Sequence, residues 1–291
     1  MKIKFGFPYI LLLPTIISLL AIGIFPLIYS LYYSLTDLNL FYIDRTKFIG
    51  VNNFLELLTD KTFLYSFLVT IKFTAVVVPV ETLLGLGLAL LFKEEMRGET
   101  IIRTIMMIPM MIAPIAAGYL WKHLFWPVQG IIDIIILRFF GVPSLRWTAN
   151  PTLALPSLMI IDTWQWTPFT FLILLSGLRA VPKGIFEAAE IDGAGRWGLF
   201  RYVTLPLMKK LILVVVLFRL IDSIRVFDLP YIVTYGGPGY ETYTASFFLY
   251  VLGLKETFNI GEAAAGSWIL NIFIMILVLA LLRVYTKREI R

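Results

Sequence analysis

Long apolar runs without charge organise this chain. No charged residue lies between Lys4 and Asp37, between Arg103 and Lys122, or between Glu262 and Arg283. About 20 mainly apolar residues in helical form cross the hydrocarbon of a bilayer, so each gap is long enough. A charge at mid-bilayer costs about 2.5–3.5 kcal/mol even on lenient insertion scales, which makes these gaps diagnostic. Residues 63–92 are apolar apart from Lys72 and Glu81, and 151–178 carry only Asp162. A further run, 208–235, holds Arg219, Asp222, Arg225 and Asp228, whose charges cancel, and is kept as a span for that reason. The pattern predicts spans over about 7–36, 63–92, 104–121, 151–178, 208–235 and 263–282. Isolated strands would leave N–H and C=O groups unpaired in lipid, so the spans are read as helices. The expected fold is all-α: a polytopic membrane bundle of six transmembrane helices, with residues 1–291 forming one transmembrane domain. The N-terminal run behind Lys2 and Lys4 is far longer than the 7–15-residue core of a secretory signal and has no evident A-x-A site, so it reads as an uncleaved first span.

Composition agrees with a lipid solvent. Hydrophobic residues make up 59% and charged residues 15%, with a mean hydropathy of +0.86, whereas soluble domains carry about 25% charge. The absence of cysteine excludes disulfides, zinc–thiolate sites and thiol nucleophiles. Lysine and arginine set the orientation. With both termini inside, the cytoplasmic segments hold fifteen basic residues and the outer segments seven. The net charge of +6 is dispersed over short loops, which argues against nucleic acid as a partner. His123, the only histidine, sits near Trp121 and Trp126 at a span end and reads as interfacial, since one histidine makes no metal cluster. The apolar stretch 130–137 is too short to cross and suits the bilayer interface. Gly236-Gly-Pro-Gly239 marks a turn after the fifth span.

The connection from Arg179 to Lys210 is the longest predicted inside segment and reads as ordered. Pro182 suits the first turn of a short helix carrying Glu187, Ala188, Ala189 and Glu190. The alanines favour helix and present a low profile to an approaching surface. Gly193-Ala-Gly195 permits a sharp turn, and Arg196, Trp197, Phe200 and Arg201 suggest a second short amphipathic helix before Leu205-Pro206 opens the next span. Such a helix–turn–helix suits docking of a cytoplasmic partner; the bland alternative is a solvated loop.

Glu187-Ala-Ala189, then Gly193, Val203 and Leu205-Pro206 resemble the signature loop of ABC-importer permeases, with Val203 where that family usually has isoleucine. The resemblance extends over most of the chain and is nearest the carbohydrate permeases of the maltose and glycerol-phosphate kind. It is carried also by Phe7-Pro8-Tyr9, Pro14, Pro26 to Ser30 and Ser34 to Asp37, by Ile191-Asp-Gly-Ala194, and by Phe227-Asp228 through Gly236-Gly-Pro238. It implies a cell-membrane permease subunit that forms half of a sugar path. Its implied partners are a second, similar permease, two cytoplasmic ATP-binding subunits, and an extracellular or periplasmic solute-binding protein. It assigns residues 179–207 as the coupling loop, with Glu187, Ala188, Ala189, Asp192, Gly193, Leu205 and Pro206 as its contacts. No G-x-x-x-x-G-K-[ST] phosphate loop occurs, so this chain is not expected to be an enzyme or to carry a cofactor. ATP and magnesium are expected on the partner subunits.

Ionisable groups within spans usually face an interior or a water-filled path. Arg219, Asp222, Arg225 and Asp228 advance in threes with alternating sign, consistent with neutralisation along one helix or, for the outer part, with a sugar path. Candidate path residues are Asp162, Trp164, Gln165, Arg225, Asp228, Trp268 and Asn271, because sugars present C–H faces to aromatics and hydroxyls to polar groups. Packing alone is the competing reading for the tryptophans. Glu81 reads as a packed acid or, in an ion-coupled secondary transporter or channel, as a proton site. An intramembrane enzyme using Asp162 or Asp222 lacks a recognisable catalytic constellation.

Overall fold

The computed structural model describes residues 7–141 and 144–289, and among these no β-strand occurs. The helices are α1 (Phe7–Ser18), α2 (Phe25–Ser34), α3 (Asn52–Thr59), α4 (Lys61–Leu91), α5 (Glu99–Met111), α6 (Pro114–Leu124), α7 (Ile131–Phe140), α8 (Pro151–Ala180), α9 (Lys183–Ile191), α10 (Arg196–Gly198), α11 (Leu205–Ile224), α12 (Ala245–Tyr250) and α13 (Ile260–Glu289). Four continuous helical stretches have the length and apolar character to cross a membrane: Leu11–Ser34, Lys61–Leu91, Pro151–Ala180 and Ile260–Thr286. The helices α5 and α6 pass the same test together but meet at a bend of 98°.

Two expected spans are therefore less regular than hydropathy suggests. The 104–121 run breaks at Ile112 and Ala113, whose extended backbone separates α5 from Pro114 at the start of α6. The 208–235 run is helical only to Ile224 and resumes as a π-helical turn over Pro230–Thr234. The short helix expected from Arg196 and the span after it prove to be one continuous helix. It runs from Arg196 through a π-helical segment, Leu199–Thr204, directly into α11. Pro206 explains the wide turn: its ring crowds the carbonyl four residues back, and the chain answers with a Leu205 N–H bond to Phe200 O, five residues back. Pro26 repeats the device, following the π-helical turn Leu19–Ile24, where Phe25 N–H reaches Leu20 O.

The chain divides into two compact units, residues 1–64 with 248–291, and residues 65–247. In the first, α13 packs on α2 and α3. Buried Asn53 donates to Ser34 O and Thr36 O at 2.9 and 2.8 Å, satisfying carbonyls beyond the end of α2.

In the second unit α8 is the central partner, packing on α5, α6 and α11. Two apolar layers form there. One joins Phe73, Val77 and Val78 of α4 to Leu158 and Ile161 of α8. The other joins Leu86 of α4 and Phe92 just after it to Phe171 and Leu174 of α8 and Val215 of α11. Along α4 and α8 the stretch between these layers is polar, carrying Glu81, Asp162 and Gln165. Helix α4 approaches α8 closely at Gly85, where an added Cβ would stand 2.1 Å from Thr170 Oγ1 and 2.9 Å from the Phe171 backbone nitrogen.

The segment containing α7 is ordered around a buried carboxylate. Asp133 accepts from the Val128 N–H at 2.9 Å, the Trp147 indole N–H at 3.0 Å and the Ser144 hydroxyl. Burial raises the Asp133 pKa, but these hydrogen bonds outweigh it and hold the carboxyl below its usual range. Ile132 of α7 packs against the core, while most of its other apolar residues, including Phe139 and Phe140, stay exposed.

Candidate functional site

The polar layer is built on one arginine. Arg219 of α11 is 1% exposed and meets three carboxylates. Its Nε donates to Glu81 Oε2 at 2.5 Å and its Nη2 to Glu81 Oε1 at 3.0 Å, a fork of two bonds to α4. Nη2 also reaches Asp162 Oδ2 of α8 at 2.6 Å, and Nη1 reaches Asp222 Oδ2 at 2.5 Å. The guanidinium lies 5.0 Å from the centre of the Trp166 ring. Glu81 and Asp162 are 0% and 4% exposed, so with Arg219 they tie three helices together out of reach of water, while Asp222 sits at the exposed edge of the cluster. The ladder read along one helix is thus divided: Arg219 and Asp222 pair at i,i+3, while Arg225 and Asp228 lie beyond the helix end at Ile224. Glu81 is ion-paired, which removes the solitary mid-membrane acid on which an ion-coupled alternative would rest.

Beside the cluster, the two breaks meet. A cavity of about 80 Å³ is lined by Pro114 from the α5–α6 break, by Asp162, Gln165 and Trp166 of α8, by Asp222 of α11, and by Arg225, Val226, Phe227, Asp228 and Leu229 just after it. Gln165, 1% exposed, donates its amide to Ile112 O at 2.8 Å, capturing a carbonyl freed by the bend, while its Oε1 has no hydrogen-bond partner. Of the path residues named from sequence, Asp162, Gln165, Arg225 and Asp228 come together here. Trp164 does not. It packs edge-on against Trp121 at 5.5 Å and faces an apolar groove of about 720 Å³ with Val80, Leu84 and Pro109. Trp268 and Asn271 lie on α13 in the other unit, half-buried and exposed. Trp166 and Asp222, not among the path residues expected from sequence, line the cavity; intramembrane charges of opposite sign on separate spans were the available signal for the cluster behind it.

The loop after α8 forms a second feature. Helix α9 ends in a Schellman arrangement, with the Ala194 N–H bonded to Ala189 O at 2.9 Å and the Gly193 N–H to Glu190 O at 3.0 Å. Gly193 has φ +87°, the left-handed value this motif needs, and open space around its Cβ position. Pro182 occupies the position just before the helix. Glu187, Ala188 and Asp192 are exposed, as are Ile191 at 85% and Trp197 at 73%, large apolar groups with nothing over them in the chain itself. Only Phe186 of α9 turns inward, where Lys93 Nζ lies 3.4 Å from its ring centre. Beneath it Arg179 donates to Phe92 O at 2.7 Å and Glu99 Oε2 at 2.6 Å, clamping the ends of α4, α5 and α8. Leu205 and Pro206 sit within the continuous helix from Arg196, half-buried and exposed. The loop is therefore an exposed, helix-capped projection that directly links α8 and α11, which hold Asp162 and Arg219.

Comparison with known proteins gives a consistent picture. The family model described as "Binding-protein-dependent transport system inner membrane component" matches residues 81–288. The trehalose/maltose transport system permease protein MalF of Thermococcus litoralis is 36% identical over 279 residues, 96% of this chain and 92% of that protein. The trehalose transport system permease protein SugA of Mycobacterium tuberculosis is 34% identical over 262 residues, 89% of this chain and 82% of that protein. A chain in the crystal structure of a bacterial alginate ABC transporter, in complex with alginate pentasaccharide-bound periplasmic protein, shares the fold with a TM-score of 0.80 at 22% identity. That match covers 94% of this chain and 92% of the other.

Proposed function

Because this chain belongs to the binding-protein-dependent transport system inner membrane components, we propose that it is the membrane-spanning permease subunit of an ATP-driven importer for a sugar or related carbohydrate. It forms half of the translocation path, beside a second, homologous permease. Two cytoplasmic subunits bind and hydrolyse ATP with magnesium, and a soluble binding protein delivers the solute from outside. The chain crosses the cell membrane six times with both termini in the cytoplasm, the broken α5–α6 pair and the α11 region each counting as one crossing. The fifteen-to-seven bias of basic residues supports that orientation.

The α9 projection carries this reading. Glu187 and Ala188 lie exposed and Ala189 half-buried on a helix braced from below, the left-handed Gly193 is exposed just after it, and the chain runs from it straight into two helices of the buried charge cluster. A partner that grips α9 and moves as ATP binds displaces α8 and α11 together, and with them the walls of the cavity at the helix breaks. Glu187, Ala188, Ala189, Asp192 and Gly193 form the gripped surface, while Leu205 and Pro206 sit at the helix segment that receives the displacement. Asp162, Gln165, Arg225 and Asp228 border the solute path, with Trp164, Trp268 and Asn271 assigned to the same path on chemistry alone. Relatives are named for trehalose and maltose, and the shared fold occurs in an importer of the acidic polysaccharide alginate, so kinship leaves the charge class of the solute open.

Expression of this chain with its chromosomal neighbours tests the proposal. A second permease and an ATPase are expected to copurify with it, ATP hydrolysis is expected only in that complex, and the chain alone is expected to hydrolyse none. Recovery of the chain without either partner would count against the reading.

A further inference from the structure

Resting on the carbohydrate-path reading above, we propose that the cavity at the two helix breaks admits an electroneutral, hydroxyl-bearing solute and rejects anionic sugars. Three carboxyl groups line it, from Asp162, Asp222 and Asp228, against one guanidinium, from Arg225. Arg219 behind them adds no spare positive charge, because Glu81, Asp162 and Asp222 already divide its donors. Helix ends do not reverse the balance. The N-terminus of α6 brings about half a positive charge to the wall and the C-terminus of α11 about half a negative one.

Hydrogen-bonding capacity points the same way. Ionised carboxylates only accept. Gln165, which also lines the cavity, donates its amide to the Ile112 carbonyl and keeps Oε1 as a buried acceptor without a donor. A buried acceptor in that condition is destabilised until a donor reaches it. A hydroxyl supplies a donor and no charge, whereas a uronate or phosphate brings further acceptors and a like charge. The volume of about 80 Å³ accommodates two or three water-sized groups at about 30 Å³ each. The hydroxyl-bearing edge of a ring therefore enters, and the rest of the sugar lies outside.

The test uses the purified complex of this chain with its permease and ATPase partners, without binding protein, so that the permease's own selectivity is read. Equilibrium binding of radiolabelled trehalose is compared with that of a disaccharide bearing one glucuronate, at neutral pH and low salt. Trehalose is expected to bind at least about tenfold more tightly, since like-charge juxtaposition is the costly element of such discrimination. Asp222→Asn and Asp228→Asn are expected to narrow the gap by strengthening uronate binding. Asp228 is outside the Arg219 cluster, so its replacement keeps the test intact if the Asp222 variant misfolds. Equal or tighter uronate binding by the unaltered complex, or a gap unchanged by Asp228→Asn, overturns the proposal and leaves the carbohydrate reading standing. Binding of neither sugar removes the carbohydrate reading and this inference with it.

Discussion

Arg219 and Asp133 are both buried charges, and they make opposite demands on their surroundings. Arg219 is worth little as a net stabiliser, because desolvating Arg219, Glu81 and Asp162 offsets their attraction, yet removing it leaves Glu81 and Asp162 buried without a cation. Arg219→Gln is therefore expected to destabilise the protein by about 3–5 kcal/mol. The triple variant Glu81→Gln, Asp162→Asn, Arg219→Gln should recover most of that loss. Thermal unfolding in detergent reads both, and an unchanged single variant would contradict the cluster's role. Asp133 is neutralised by hydrogen bonds alone. Its folded pKa lies below the ordinary value, so its contribution is complete above about pH 4 and is lost as pH falls through the depressed value. Hydrogen exchange in residues 126–141 should show protection from neutral pH down to about pH 4 and lose it in stronger acid. Asp133→Asn should lose it already at neutral pH. Neither residue's role was legible from hydropathy, which records a charge as a penalty and not as a partner. Arg219 meets partners 57 and 138 positions away, and only the complementary signs of Glu81, Asp162 and Arg219 hinted at it.

At the scale of elements, Gly193 and Gly85 are required for different reasons. Gly193 serves its backbone angle: a β-branched residue at φ +87° costs about 1–2 kcal/mol and spoils the Schellman turn. Gly193→Val should insert normally and lose ATP-driven uptake, whereas Gly193→Asn, which tolerates the left-handed region, should keep most of it. Equal uptake by the two would show that the turn's geometry is immaterial. Gly85 serves contact, since a Cβ there meets Phe171 backbone as well as Thr170 and no rotamer change relieves it. Gly85→Val should cost about 1–3 kcal/mol in detergent stability. The helix α9 was readable in advance because its cues are local: a proline before it, two alanines within it and a glycine after it. The α5–α6 bend was not, since a hydropathy window sums across Met111 to Pro114 without registering direction. The short helix at Arg196 to Arg201 was readable from its amphipathic pattern, but its continuity with α11 was not, because Leu205-Pro206 reads as the start of a separate element and the structure carries the helix through it by a π-helical turn.

For the molecule as a whole, the absence of cysteine makes topology directly measurable, because any introduced thiol is unique. A membrane-impermeant thiol reagent applied to intact cells should label Ala149→Cys and not Glu190→Cys, both of which replace exposed residues. The reverse pattern would invert the orientation proposed above. The buried cluster has a further consequence in the order of synthesis. Glu81 and Asp162 emerge 138 and 57 residues ahead of Arg219. At about 5–20 residues per second, Glu81 waits about 7–28 s and Asp162 about 3–11 s for their cation. During that interval the nascent chain holds two acids in or beside the bilayer with nothing to neutralise them. The arrival of α11 is then the event that commits α4 and α8 to their final seats. A chain stopped before residue 205 should accordingly be cleared by membrane proteases faster than one stopped after residue 224, a difference that pulse–chase measurement would reveal.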